Sequence, residues 1–165
     1  DCVFSGQKGL YTEKDYPDAK DLYGRSKLMG EVDYPNAITL RTSIIGHEFN
    51  SSNSLINWFL SQNEVINGFK KAIFSGLPAI EMAQIIENYV LPFPKLTGLF
   101  HVSVDPISKY DLLTMVKKIY KKKIVIVPDN TLMIDRSLNS DNFRAATGFT
   151  PKSWPEMIKS MYKYK

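Results

Sequence analysis

The run Tyr23-Gly24-Arg25-Ser26-Lys27 sets a tyrosine and a lysine four residues apart in a stretch that reads as the start of a helix. Residues at i and i+4 share one helical face, so the phenol and the ammonium can converge on a single point. An adjacent ammonium favours phenolate, which brings a tyrosine pKa down toward neutrality. Beside a hydride carrier, such a pair suits carbonyl reduction: hydride adds to carbon while the tyrosine protonates oxygen. The spacing by itself is unspecific in a chain with nine tyrosines, and Tyr16-Pro17-Asp18-Ala19-Lys20 repeats it. Pro17, flanked by Asp15 and Asp18, makes that copy a turn or loop, where i and i+4 need not share a face. Tyr23 and Lys27 are the candidates; Tyr16 and Lys20 are not.

The elements that must position this pair alternate between helical and extended patterns. Asp21 is placed to cap a helix over 21–34, which carries apolar residues at helical intervals. Residues 37–45 are rich in β-branched side chains and predict a strand. Ser54 caps a predicted helix running to Gln62. Residues 66–74 contain the turn signal Asn67-Gly68 and read as a hairpin or two short strands. Helices over 78–91, 108–120 and 154–162, with strands over 99–102 and 124–127, complete the chain. This alternation predicts an α/β fold with part of a parallel sheet, and a ligand at the carboxyl ends of its strands.

Composition narrows the class. With 44% hydrophobic and 23% charged residues, the 165-residue chain reads as globular rather than disordered. No apolar run reaches the length that spans a bilayer, so no membrane partner is expected. A single cysteine, Cys2, rules out an internal disulfide and fits a reducing compartment, with cytoplasm the default. Net charge is +4, with lysines at 117, 118 and 121–123. These read as the solvated end of a helix, because no aromatic stacking platform accompanies them; no nucleic-acid partner is expected. Two histidines and one cysteine without ligand spacing predict no metal site. His47 reads as a polar loop residue or a substrate contact, His101 as a hydrogen-bonded core residue and Trp154 as a core anchor. Neither Ser5 nor Ser26 has the neighbours of a hydrolase triad.

Several motifs then recur in a consistent order. Asp1-Cys2-Val3-Phe4-Ser5-Gly6, Tyr11-Thr12-Glu13, Pro17-Asp18-Ala19 and the Tyr23–Lys27 run resemble the extended short-chain dehydrogenase/reductases. Within them the likeness is to the dTDP-4-dehydrorhamnose reductase group. Leu40-Arg41-Thr42-Ser43-Ile44-Ile45-Gly46 resembles that group's next strand and cofactor-facing loop, and His101-Val102-Ser103 with residues 107–113 resembles a late strand and helix. Residues 135–140, Phe143-Arg144 and Thr147-Gly148-Phe149 resemble a C-terminal pattern of sugar-nucleotide reductases. The resemblance implies the C-terminal half of a Rossmann-type parallel sheet plus a small α/β substrate-binding lobe. Residues 1–46 and 78–102 would belong to the dinucleotide-binding part, and residues 47–77 and 103–165 to the lobe. No Gly-rich phosphate loop occurs in the sequence, and the family's catalytic Ser or Thr would immediately precede Asp1. The expectation is therefore the C-terminal portion of a longer reductase, inactive by itself.

The same resemblance implies residue roles. Tyr23 would be the general acid, and Lys27 would hold the nicotinamide ribose of NADP or NAD. Thr42, Ser43 and Ile44 would pass near the nicotinamide, and Cys2 and Phe4 would line the substrate cleft. Arg136 would engage a substrate diphosphate, or else form a structural ion pair with Asp135 or Asp141. Ile44 stands where the rhamnose-type enzymes carry an aromatic residue, often Trp, which leaves the sugar open. The implied activity is NAD(P)-dependent reduction of a nucleotide-linked 4-keto-6-deoxy sugar in surface polysaccharide biosynthesis. A nucleotide-diphosphate sugar is the partner, and a homodimer is left open. A sugar-nucleotide epimerase or dehydratase, or a non-catalytic regulatory subunit on the same fold, are the alternatives.

Overall fold

Parallel pairing dominates the sheets, as strand–helix alternation requires. A computed structural model describes residues 1–32, 34–49 and 53–165. Strand β1 (Ile38–Arg41) runs parallel to β6 (Gly98–His101), with Arg41 opposite His101. Strand β2 (Ile44–Ile45) pairs parallel with β5 (Leu77–Pro78), and β3 (Val65–Phe69) with β8 (Val125–Asp129). In a three-stranded sheet, β4 (Ala72–Phe74) lies between antiparallel β7 (Ile107–Ser108) and parallel β9 (Ile134–Asp135). The helices are α1 (Leu22–Met29), α2 (Leu55–Ser61), α3 (Ala79–Ile85), α4 (Lys109–Ile119), α5 (Asp141–Thr147) and α6 (Trp154–Lys163). A π-helical turn, Ile86–Val90, continues α3. The result is a mixed α/β fold. No helix of the described residues is long and apolar enough to cross a membrane.

The main core forms where the apolar stripes of α2, α4 and α6 meet the sheets. Ile56, Phe59, Leu77, Val102, Leu112, Val116 and Ile158 are fully buried there, and Met82 is buried beside them. Trp154 anchors the start of α6, its indole N–H donating to the Asp105 carbonyl at 2.8 Å. A second, smaller core joins Val3, Phe4, Tyr11 and Leu138. It ties the start of the chain to the segment after β9, reinforced by a parallel bridge between Tyr11 and Leu138.

Several boundaries differ from the sequence expectation, each for a visible reason. Helix α1 stops at Met29, where Gly30 caps it, rather than reaching residue 34. Residues 33 and 50–52, which fall in that predicted helix end and in the predicted insert, lie outside the described residues. The single strand predicted over 37–45 is two strands, because β1 and β2 choose different partners on either side of Thr42 and Ser43. Asn67-Gly68 is no turn: both residues sit inside β3, and β3 and β4 do not pair. A Cβ on Gly68 would meet Ile126 at 2.7 Å and Tyr110 at 2.8 Å, so close packing accounts for that glycine. Helix α5, absent from the sequence reading, is short and is closed by Gly148 in the left-handed region at φ 75°.

Candidate functional site

Helix α1 is seated by its cap and its glycine. Asp21 accepts a hydrogen bond from the Gly24 amide at 2.8 Å, satisfying a donor that the helix itself leaves free. Gly24 is buried against the chain's first residues: a Cβ there would lie 2.4 Å from the Cys2 carbonyl oxygen and 2.6 Å from Ala19 Cβ. Only a glycine lets the first turn approach that backbone. The pair of interest is then held outward. Tyr23 is 63% exposed, and Lys27 Nζ lies 5.4 Å from the centre of its ring.

The far end of α1 is fixed by charge. The Glu31 carboxylate accepts from Arg41 Nε at 2.6 Å and from Arg41 Nη2 at 2.8 Å, a bidentate pair. Arg41 is buried, its guanidinium lies 5.4 Å from the Phe4 ring centre, and its Nη1 is 3.4 Å from His101 Nε2. His101 Nδ1 lies 2.9 Å from the Tyr11 carbonyl, which can only accept, so Nδ1 carries the proton and Nε2 is left to accept from Arg41. Burial pushes the His101 pKa down, in keeping with a neutral ring. His101 is thus the hydrogen-bonded core residue its apolar surroundings predict. The other histidine, His47, pairs with the Tyr120 hydroxyl at 2.8 Å.

Beside α1, the chain between β1 and β2 forms the opposite wall. The Asp1 nitrogen donates to the Thr42 carbonyl at 3.0 Å, and the Leu77 amide donates to the Ser43 carbonyl at 2.9 Å. Gly76 permits the second contact, since a Cβ there would lie 2.4 Å from that same carbonyl oxygen.

Between these walls lies an open cleft of about 580 Å³. Tyr23 and Lys27 line it from α1; Thr42, Ser43 and Ile44 line it from the strand ends. Cys2 and Arg136 complete the set, so seven of the eight residues singled out in the sequence converge on one cavity. Phe4 does not. It is fully buried and stacked on Tyr11, with ring centres 4.1 Å apart, so it supports the wall without reaching the cleft. A large aromatic in an apolar run is as readily core as lining, and here the second core claims it.

A narrower inner pocket of about 220 Å³ adjoins the cleft, and Asp1, Ser43, Ile44 and Arg136 line both. Its walls are apolar, from Ile45, Leu55 and Phe74, and it also contains Lys109. Burial, followed by repulsion from Arg136, pushes the Lys109 pKa down. Arg136 forms no ion pair among the described residues, and its Nε is buried without a hydrogen-bond partner. The structural pairing with Asp135 is not made: that carboxylate accepts from the Ser137 amide and hydroxyl instead. Lys109, Glu31 and Arg41 were given no role in the sequence reading. Arg41 ends an apolar strand and Lys109 directly follows a capping serine, which are the only local signs of either.

No protein-family model matches the chain. A 78-residue stretch is 36% identical to the chloroplastic protein translocase subunit SecA of Pisum sativum, covering 44% of this chain and 7% of that protein. So local a likeness shows no family. Among solved structures, a dTDP-4-dehydrorhamnose reductase from Bacillus anthracis, in complex with NADP, matches 98% of this chain at TM-score 0.79 and 22% identity. A hypothetical dTDP-4-dehydrorhamnose reductase from Sulfolobus tokodaii matches 92% at TM-score 0.69 and 26% identity. A UDP-N-acetylglucosamine 4-epimerase from Bacillus cereus matches 99% at TM-score 0.76 and 20% identity. The chain spans 62%, 58% and 60% of those three chains. It has the Rossmann-type fold of the short-chain dehydrogenase/reductase sugar-nucleotide enzymes, over about three-fifths of their length.

Proposed function

We propose that this chain supplies the Tyr/Lys pair and the substrate side of an NAD(P)-dependent sugar-nucleotide reductase acting on a 4-keto-6-deoxy sugar. The observation that carries the reading is the single cleft on which Tyr23, Lys27, Thr42, Ser43, Ile44, Cys2 and Arg136 converge. The cleft fits the nicotinamide end of a dinucleotide: it is open, lies at the carboxyl end of β1 and exposes a phenol beside an ammonium. When bound, the dinucleotide supplies the hydride. Tyr23 is the general acid that protonates the substrate oxygen, and Lys27, one turn on, holds the ribose. Thr42 and Ser43 face the ring from the strand end. Arg136, with its unpartnered Nε, faces the substrate's anionic part. Surface polysaccharide synthesis is the pathway this substrate class implies.

An epimerase or dehydratase of this fold usually uses a further acid or base beside the tyrosine. Among the described residues, the carboxylates lining the cleft are Asp1 and Glu31, and both Glu31 oxygens are engaged by Arg41. That favours the reductase. The test is oxidation of NADPH or NADH by the whole protein offered a dTDP-4-keto-6-deoxy sugar. Tyr23→Phe should lower turnover by roughly 10²–10⁴-fold, the range of a lost general acid. Full activity in Tyr23→Phe sinks the mechanism, and dinucleotide binding without turnover favours a regulatory subunit.

A further inference from the structure

We infer that the carboxyl ends of α4 and α6 form one cationic face that docks on an anionic phospholipid surface. The face lies outside the cleft, and the inference does not depend on the reaction carried out there.

Two helices that run side by side in one direction build the face. Met115 of α4 and Pro155 of α6 line a groove of about 620 Å³, as do Lys118 and Lys159, one turn further along each helix. Beyond them the rings of Tyr120 and Tyr162 meet edge to face, 4.8 Å apart. Both carboxyl ends therefore lie together, and so do the lysines at each of them. Residues 112–128 and 157–165 hold eight lysines and no aspartate or glutamate. Of the chain's 21 basic residues these are eight, which leaves 13 against 17 acidic residues elsewhere. The net charge of +4 thus comes entirely from this end.

The lysines of α4 alone read as a solvated helix end, but the two ends together carry more charge than that accounts for. Each carboxyl end has about half a negative elementary charge, which one or two lysines complement. None of the eight takes part in an ion pair among the described residues. Lys118, Lys121, Lys123, Lys159, Lys163 and Lys165 are exposed. Lys122 is half-buried and donates to the Leu60 carbonyl at 2.6 Å, which ties the face to the end of α2. Asp111, the groove's one carboxylate among the described residues, lies a turn before Met115 and accepts from the Ser108 hydroxyl at 2.6 Å.

The chemistry of the face selects the partner. All eight cations are lysines, point charges suited to a field of headgroups, and none is the arginine fork that grips single phosphates in pairs. A single-stranded nucleic acid needs free aromatic faces to stack on. Here Lys165 Nζ sits 4.2 Å from the centre of the Tyr162 ring, and Lys163 Nζ 5.4 Å from that of Tyr164. Both tyrosines are exposed beside the lysines, and such amphipathic rings settle at a headgroup layer. Met115, Ile119 and Pro155 add an apolar floor. Hydropathy rules out a span among the described helices and leaves a peripheral, charge-driven contact open.

The test is co-sedimentation of the 165-residue chain with vesicles of equal parts phosphatidylcholine and phosphatidylserine, and with vesicles of phosphatidylcholine alone. The chain should bind the mixed vesicles at low salt, leave them at high salt and ignore the neutral ones. Each exposed lysine changed to glutamine should weaken partitioning by about fivefold, so Lys118→Gln/Lys159→Gln/Lys163→Gln should lose roughly a hundredfold. Lys14→Gln/Lys20→Gln/Lys95→Gln removes the same charge from exposed positions elsewhere and should stay within about threefold of the parent. Circular dichroism checks that both variants fold, and the salt response of the unaltered chain stands without them. Equal losses in the two triple variants overturn the inference, because net charge and not this face then governs binding. Neutral vesicles binding as well as mixed ones overturn it too, as does no binding to either. A DNA duplex that binds more tightly than the mixed vesicles at the same salt, through the same three lysines, overturns the lipid assignment.

Discussion

Helices α1 and α6 are of similar length and are held in opposite ways. Trp154, Met157, Ile158 and Met161 of α6 are buried, which at about 1.5–3 kcal/mol for each large apolar side chain fastens the helix through area alone. Helix α1 buries only Gly24, and its Leu22 and Met29 are 85% and 87% exposed. Leu28 rests against the small second core, and the other contacts that hold α1 are directional: one cap, one close backbone approach and one bidentate ion pair just past its far end. A side chain that lines an open cleft cannot be sunk in a core, so its helix is positioned by a few contacts that depend on distance and angle. Area tolerates small shifts. Such contacts do not.

The difference is broken most forcefully by emptying the core. Ile158→Ala should cost about 2–5 kcal/mol, read as a fall in the urea midpoint with an unchanged slope. Amide exchange should then quicken throughout the chain, because α6 is part of the global core. Arg41→Met comes next. It leaves Glu31 without its partner, and since Glu31 is 20% exposed the loss should fall at or below the low end of the roughly 3–5 kcal/mol typical of a broken buried pair. Exchange should quicken first in α1. If α1 amides are no more affected than those of α6, the contrast between the two helices is wrong.

How much of this was legible follows the same division. The helix caps Asp21 and Ser54 and the apolar stripes of α4 and α6 were readable, because caps and periodicity are local chemistry. That Tyr23 and Lys27 share one face of α1 was readable for the same reason, as was the loop that Pro17 makes around Tyr16. Asn67-Gly68 misled because its local turn preference lost to pairing of β3 with β8, a strand some sixty residues away. Phe4 misled because its exposure depends on packing with Tyr11 and with Leu138, which lies far along the chain. Lys109 and the Glu31–Arg41 pair gave little sign, since a charge becomes informative only when the fold buries it. Helix α5 buries just Phe143, too little for a periodic pattern.

The close approach at Gly24 gives a sharper and smaller test. Gly24→Ala sets a methyl group against the Cys2 carbonyl and Ala19, so α1 must move or tilt, at a cost of about 1–3 kcal/mol typical of overpacking. Gly30→Ala is the control on the same helix. Its nearest atoms are 3.6 Å away and its φ is −85°, so alanine fits and should be neutral or stabilising by about 0.4–1 kcal/mol. Hydrogen exchange of α1 separates them: faster in Gly24→Ala, unchanged or slower in Gly30→Ala. Equal behaviour would mean that the glycine in the Tyr-Gly-Arg-Ser-Lys run does not seat the helix.

The smallest effect concerns the cap, and it is visible only as a dependence on pH. The Gly24 amide, donating to Asp21, holds that carboxyl below its ordinary value of 3.8. The folded chain therefore binds this proton less readily than the unfolded chain does. The stabilisation is complete above the unfolded value and is lost as pH falls through the lower folded one. Exchange protection of α1 should accordingly fall on acidification below about pH 4, while α6, whose buried face is apolar, should follow only the global trend. Glu156 at the start of α6 is also held low by Ser153, so the pertinent comparison is made with Asp21→Asn, which keeps an acceptor and removes the titration. In that variant the acid-sensitive part of α1's protection should vanish with its neutral-pH protection nearly intact. If the acid response persists, some group other than Asp21 governs how α1 is held.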